Sequence, residues 1–169
     1  MSDEIVNRVA NSQLKTIDLE ELYPQGERIS IDIKNWLFQE LILKESEFRE
    51  HLKNHDWEQY KNQYVALTCT SDAIIPSWAF MLITTYVSPF AKKIVVGNLK
   101  DLETSIFYDI ISNFNIEDYK NRPVIIKGCA TKPIPATAYT SLIEKLQPIA
   151  KSIMFGEACS TVPLFKNNK

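Results

Sequence analysis

The chain is poor in glycine, cysteine and histidine, has no surplus of either charge, and contains no long apolar run. Each shortage excludes something. Its four glycines, Gly26, Gly97, Gly128 and Gly156, stand far apart in the 169 residues, so there is neither a Gly-x-Gly-x-x-Gly turn nor a Walker sequence. Without such a loop no cradle of backbone N–H groups awaits a dinucleotide or a nucleoside triphosphate. A formal charge of −2 provides no basic stripe, so nucleic acid is not an expected partner. The Met1-Ser2-Asp3-Glu4 start lacks the basic and apolar regions of a secretory signal. The longest apolar-rich run, Ala73 to Val87, is interrupted by Ser77, Thr84 and Thr85 and falls short of the ~20 residues that cross a bilayer. No membrane association is expected, and the cytoplasm is the expected location. Three cysteines are an odd number, and in a chain without an export signal they do not read as a disulfide framework.

What is present is a globular composition, 45% apolar and 24% charged. A single domain over residues 1–169 is the simplest reading, large enough to bury roughly 70% of its unfolded surface. Residues 3–11 suit a short helix with Ile5, Val6 and Val9 on one face. Leu14 to Leu19 and Arg28 to Ile33 alternate apolar and polar residues around the turn signal Tyr23-Pro24-Gln25-Gly26. That pattern predicts an antiparallel N-terminal strand pair. Asn35 to Leu43 (NWLFQELIL) fits helix and strand templates alike, and Glu45 to Lys53 reads as a surface helix with Phe48 and Leu52 inward. Strand pair and helices together make up an N-terminal part, residues 1–60.

From Tyr64 the character changes, and short β-rich runs alternate with helix-length segments. Strands are predicted at Tyr64–Thr68, Lys93–Val96, Val124–Lys127 and Ser152–Phe155, and helices at Ile74–Val87, Leu99–Phe114 and Ala136–Leu146. Such alternation argues for βαβ units around a parallel sheet. An internal repeat supports it. A shift of 59 residues lays Ile75–Gly97 over Ile134–Gly156 with eight identities in 23 positions and no gap. Among the identities are Pro76 with Pro135, Pro89 with Pro148, and Ala91-Lys92 with Ala150-Lys151. Proline suits a helix start and ends a helix four turns later, so each copy reads as strand, Pro-led helix, strand, Gly. The expected fold is therefore α/β: a mainly parallel sheet with helices on both faces, built from a duplicated βαβ unit (residues 64–97 and 123–156), plus the N-terminal antiparallel pair.

In one parallel sheet all strand C-termini share an edge, and ligands bind outside that edge. Cys69, Cys129 and Cys159 each follow a predicted strand, and each opens a similar phrase: Cys69-Thr70-Ser71, Cys129-Ala130-Thr131, Cys159-Ser160-Thr161. Three thiols on one rim suit zinc or an iron–sulfur cluster, because thiolate is the ligand both prefer. The fourth ligand is expected to be Asp72, Glu157 or His55, or else the position is open, which would suit transfer or catalysis. Asp72, Lys132 and Glu157 are the expected cofactor contacts, Asp72 doubling as a helix cap and Lys132 able to hold an anion. The leading expectation is a metal- or iron–sulfur-binding accessory protein. A second reading is a thiol-dependent enzyme with Cys129 or Cys69 as nucleophile, its pKa lowered at a helix N-terminus, although the only histidines, His51 and His55, lie in the early polar region. The third is a non-catalytic interaction module with buried cysteines, whose apolar surface pairs protomers as a homo-oligomer or binds another protein.

The combination Ile42-Leu43-Lys44-Glu45, Asn54-His55-Asp56-Trp57, Asp72-Ala73-Ile74-Ile75-Pro76-x-Trp78-Ala79, Lys127-Gly128-Cys129 and Ala150-Lys151-Ser152-Ile153-Met154-x-Gly156-Glu157-x-Cys159-Ser160-Thr161-Val162-Pro163 resembles an uncharacterised bacterial family, domain of unknown function 2480. The resemblance runs from Asp3 to Lys166. It implies no activity and no catalytic residues; through genomic association it implies iron–sulfur assembly proteins as partners.

Overall fold

Strand period and helix period fall where the side chains can be buried, and the computed structural model, which describes residues 13–128, 131–157 and 159–167, shows which segments meet. Among those residues the chain runs β1 (Lys15–Ile17), β2 (Arg28–Asp32), α1 (Glu45–Asn54), β3 (Tyr64–Thr68), α2 (Ser77–Val87) and β4 (Lys93–Val96). It continues through α3 (Leu99–Asn113), β5 (Pro123–Ile126), α4 (Ala136–Leu146), β6 (Ser152–Glu157) and β7 (Ser160–Lys166). The fold is mixed α/β, with four α-helices among the described residues and mostly parallel sheets. None of these helices is long and apolar enough to cross a membrane. The expected helix at residues 3–11 lies outside the described residues.

The chain divides into two compact units, one of residues Met1–Tyr23 with Phe107–Lys169 and one of residues Pro24–Ile106. The second unit is thus inserted in the sequence of the first, and the division falls inside α3.

In the inserted unit β3 is the central strand of the sheet β2-β3-β4, parallel to both neighbours. Tyr64, Val65, Ala66 and Leu67 are all buried, as befits a parallel strand covered on both faces. Phe48 and Leu52 of α1, four residues apart, and Ala79, Ile83 and Val87 of α2, again at steps of four, bury one stripe of each helix. They share a single core cluster with Ile31, Val65 and Leu67.

The other unit is built alike around the order β1-β5-β6-β7. Here β1, β5 and β6 are parallel and β7 returns antiparallel to β6. Phe107 and Ile111 of α3 and Ala138, Leu142 and Leu146 of α4 share a cluster with Ile17, Val124, Ile126 and Ile153. Gly156 sits at the β6–β7 reversal with φ 125°, where an added Cβ would lie 2.5 Å from the Ser160 carbonyl oxygen. Only glycine fits both the angle and the space.

One expectation is corrected. The N-terminal strands do not pair with each other: β1 lies beside β5 and β2 beside β3, both parallel. Alternation reveals a strand but not its partner, and Leu19 and Ile33, buried just past the strand ends, leave each strand in a different core. The antiparallel pair is the C-terminal one. Within each cluster two helices pack on the same strand side chains. Strand order explains this. The chain crosses β2 to β3 to β4, and β1 to β5 to β6, in one direction, and right-handed crossovers advancing one way stack their helices on one face.

The 59-residue spacing recurs in the geometry. The bounds of α2 and α4, and the start of β4 and β6, differ by 59, as do the single-turn helices Glu58–Tyr60 and Glu117–Tyr119. Asn62 (φ 61°) and Asn121 (φ 57°) adopt the same left-handed conformation. Their N–H groups donate to Phe90 O at 3.0 Å and Ile149 O at 2.8 Å, carbonyls again 59 apart. Phe48 and Leu52 match Phe107 and Ile111 by the same shift.

Candidate functional site

The expected thiol rim requires one sheet, and the described residues form two. Cys69 follows β3 in the inserted unit and is half-buried, its Sγ 3.2 Å from Ser71 Oγ and 3.9 Å from Ser71 O in its own loop. Cys159 is exposed at the β6–β7 reversal of the other unit. Cys129 lies outside the described residues. Among the described residues no group of three His, Cys, Asp or Glu side chains could hold a metal ion. This overturns the expectation of a three-cysteine metal or iron–sulfur site. The buried-thiol picture is corrected as well, since Cys69 is half-buried and Cys159 exposed.

The remaining candidates are dispersed. Glu157 is exposed at the end of β6, and Lys132 is exposed with its ammonium 5.6 Å from the centre of the Tyr23 ring. His55 is held in an aromatic nest: its Nε2 lies 2.7 Å from Tyr60 Oη, and its ring centre 4.5 Å from Trp57 and 5.2 Å from Trp36. Cys69 therefore has Ser71, not an imidazole, as its hydrogen-bond partner. Burial pushes the His55 pKa below the usual histidine value, the Asp56 charge only partly opposing it.

This sets a pH dependence whose sign can be worked out. In the unfolded chain His55 titrates near ~6.5, in the folded chain lower, so falling pH protonates the unfolded state first. Stability is complete above pH ~6.5 and declines as pH drops through the folded value. The denaturation midpoint is expected to fall between pH 7 and 5, and His55→Gln to flatten that fall. A midpoint constant over this range would contradict the placement of His55.

Two carboxylates that sequence reading passed over organise the loops after the central strands. Asp32 Oδ2 accepts from Thr70 Oγ1 at 2.5 Å, and its Oδ1 from the N–H groups of Thr70 at 3.2 Å and Lys34 at 3.1 Å. Glu20 Oε1 accepts from Thr131 Oγ1 at 2.8 Å, Lys132 N at 2.6 Å and Thr131 N. Hydrogen bonds led by the Thr131 hydroxyl hold the Glu20 pKa below the usual carboxylate range. For Asp32 burial pushes upward, but the bonds from Thr70 and Lys34 outweigh it. Asp32 thus holds its loop through both carboxylate oxygens and Glu20 through Oε1. Sequence carries a faint signal for them: an acid at or just past the end of each strand.

The feature that stands out is apolar, and Asp72 lies in it. In the inserted unit, Phe38 and Ile42 close a short hairpin through mutual N–H···O bonds of 2.8 and 3.0 Å. Its tip, Gln39 and Glu40, has φ of 51° and 58°. Chains that only need to turn place Asn or Gly at such positions, and a non-glycine residue there costs about 1–3 kcal/mol. The strained tip presents Leu41 and Ile42, 55% and 54% exposed. Beside them stand Ile74 at 93%, from the loop before α2, and on α2 itself Trp78 at 37% and Met81 at 68%, three residues apart on one helical face. Leu41, Ile42, Ile74, Trp78 and the carboxylates Glu45 and Asp72 line a groove of about 680 Å³. Trp78 is anchored edge-on against buried Phe48, ring centres 6.1 Å apart. Lys44 lies over the Phe38 ring at 3.2 Å, and the Arg49 guanidinium sits 6.0 Å from the Trp78 ring. The sequence signal was the ambiguity of Asn35–Leu43, a segment apolar on helix and strand templates alike, part of which stays in water.

Neither the curated proteins nor the solved structures contain a match to this chain. A family model does match, over residues 3–167, described as a protein of unknown function (DUF2480). The match spans nearly the whole sequence and both units, and the chain belongs to that family.

Proposed function

We propose that the protein is a docking module that works by presenting the apolar face of its inserted unit to another polypeptide. The observation that carries this reading is the cluster of Leu41, Ile42, Ile74 and Trp78 around one groove, with exposed Met81 one helical turn past Trp78, on a unit whose own core is already complete. A soluble domain rarely leaves such side chains together in water unless something covers them. The strained Gln39-Glu40 tip supports it, because strain persists where a conformation is used. Opposing the thiol-enzyme alternative, the rim acids are committed to their loops and His55 to Tyr60.

The matched 59-residue geometry supports a second element of the reading, that the two units are copies of one strand–helix–strand ancestor, the later β7 being an addition to one of them. A docking face that arose in one copy only would leave the other free to serve as scaffold. In keeping with this, Ile74 is 93% exposed, whereas Pro133 stands at the corresponding place in the other unit.

The test is photo-cross-linking in cells that carry the gene natively. A photoactivatable residue replacing Met81 is expected to give a discrete protein adduct that disappears when Ile74→Asp is added. The same residue replacing Tyr108, exposed on the other unit, is expected to give none. No discrete adduct from position 81, or equal adducts from both positions, would end the docking reading.

A further inference from the structure

We propose that His55 is a proton-operated latch on the segment that carries the apolar hairpin: neutral, it holds Trp36 in place, and protonated, it lets Trp36 and the hairpin after it come loose. The latch is read from the aromatic nest alone and would stand if the docking reading fell. Chain connectivity joins the nest to the hairpin. Trp36 ends the single-turn helix Ile33–Trp36, and buried Leu37 and then the Phe38–Ile42 hairpin follow it directly. The Trp36 ring meets those of Phe48 at 6.2 Å, Trp57 at 6.1 Å and His55 at 5.2 Å between centres. Of these His55 is the nearest, and it is the one that can take up a charge between pH 5 and 8. Leu41 and Ile42 line the groove, so loosening the hairpin loosens one of its walls.

What a proton changes is the bond to Tyr60. His55 Nε2 lies 2.7 Å from Tyr60 Oη, and Tyr60 is only 5% exposed. Burial raises the Tyr60 pKa, so the phenol keeps its proton as a donor, and Nε2 of the neutral ring is the acceptor in reach. A protonated imidazole has an N–H on both sides and no acceptor. The phenol O–H must then turn away inside a nest of rings, and a buried donor without a partner is costly. The titratable groups facing His55 are Tyr60, on the single-turn helix Glu58–Tyr60, and Asp56 beside it in the chain. Trp36 and Trp57 present rings to it and Gln59 an amide at 3.5 Å. Asp56 favours the charged ring but burial outweighs it, so the neutral form belongs to the closed nest. The other unit shows that packing alone does not call for an imidazole. Phe114 stands 59 residues on from His55 and Tyr119 59 on from Tyr60, their ring centres 5.8 Å apart against 5.6 Å. The titratable ring stands in the unit that carries the exposed hairpin, the apolar one in the other.

The experiment is amide hydrogen exchange of the purified full-length chain at pH 7.5 and at pH 5, with the intrinsic rates divided out. Phe38, Leu41 and Ile42 are the reporters, because each N–H is hydrogen-bonded within the hairpin. Their protection is expected to be lower than that of Val65 and Leu67 in β3, the mark of a separate local opening. It is expected to fall about tenfold at the lower pH, the order of change when a buried donor loses its partner. His55→Gln keeps an acceptor but cannot be protonated, and His55→Phe copies the other unit. Each is expected to remove the pH dependence. Every comparison is made within one variant between two pH values, so a variant of altered stability still reports. Hairpin protection that does not change with pH overturns the latch, and so does a change that persists in either variant. Equal protection in the hairpin and β3 overturns it too, because the nest would then open only when the whole unit unfolds.

Discussion

Glu103→Ala is expected to destabilise the inserted unit by about 3–5 kcal/mol, the cost of breaking a buried ion pair by removing one partner. Glu103 Oε1 lies 2.5 Å from Arg28 Nε, and the two side chains are only 9% and 12% exposed. Arg28 is fixed from several sides, donating to Pro24 O at 2.9 Å and Gly26 O at 2.5 Å and standing 4.8 Å from the centre of the Tyr64 ring. With the carboxylate gone the guanidinium cannot leave easily, and its charge stays in a poorly solvated place. The measurement is urea denaturation followed by tryptophan fluorescence. That probe is specific, because Trp36, Trp57 and Trp78 all belong to the inserted unit. Arg28→Met with Glu103→Leu is expected to recover most of the loss, since apolar replacement of both members of a buried pair is often neutral. A loss below ~1 kcal/mol in Glu103→Ala would show that water reaches the pair.

Phe48→Ala and Phe107→Ala are each expected to cost about 3–5 kcal/mol, the range for deleting a fully buried phenylalanine ring. Both residues have no exposure and are among the largest fully buried side chains. Fluorescence should report the Phe48 loss and far-UV circular dichroism both. Because Phe48 and Phe107 occupy positions 59 residues apart on helices that pack the same way, the two costs should agree within the ~2 kcal/mol spread that local relaxation introduces. A cost near zero at one site only would separate the two units in origin or in packing. Phe48→Ala has a further consequence: Trp78 loses the ring it packs against, so the docking face should loosen together with the core.

Much of the architecture was legible before any coordinates. The bounds of β3, β4, α1 and α4 lie within a residue or two of the sequence reading, because each is a short stretch whose apolar spacing suits only one period. Proline marked the helix starts: α2 and α4 begin right after Pro76 and Pro135, whose φ of −68° and −69° the ring imposes. What failed was pairing. Nothing in Leu14–Leu19 says that its neighbour lies over a hundred residues away, because strand alternation depends on which face is buried and not on which strand is adjacent. The candidate site failed for the same reason: three cysteines at three strand ends converge only if the strands share a sheet.

The sequence by itself determined the elements and their 59-residue recurrence, since propensity, periodicity and proline act over a few residues. Tertiary structure decided the rest. It put β1 with β5 and β2 with β3, turned a predicted common rim into two, buried Glu103 in an otherwise unremarkable helix, and left Ile74 in water in an apolar segment that reads as core. These outcomes depend on which surfaces remain uncovered once every unit has closed around its own core, and burial of that kind is a property of the whole fold that no local spacing encodes.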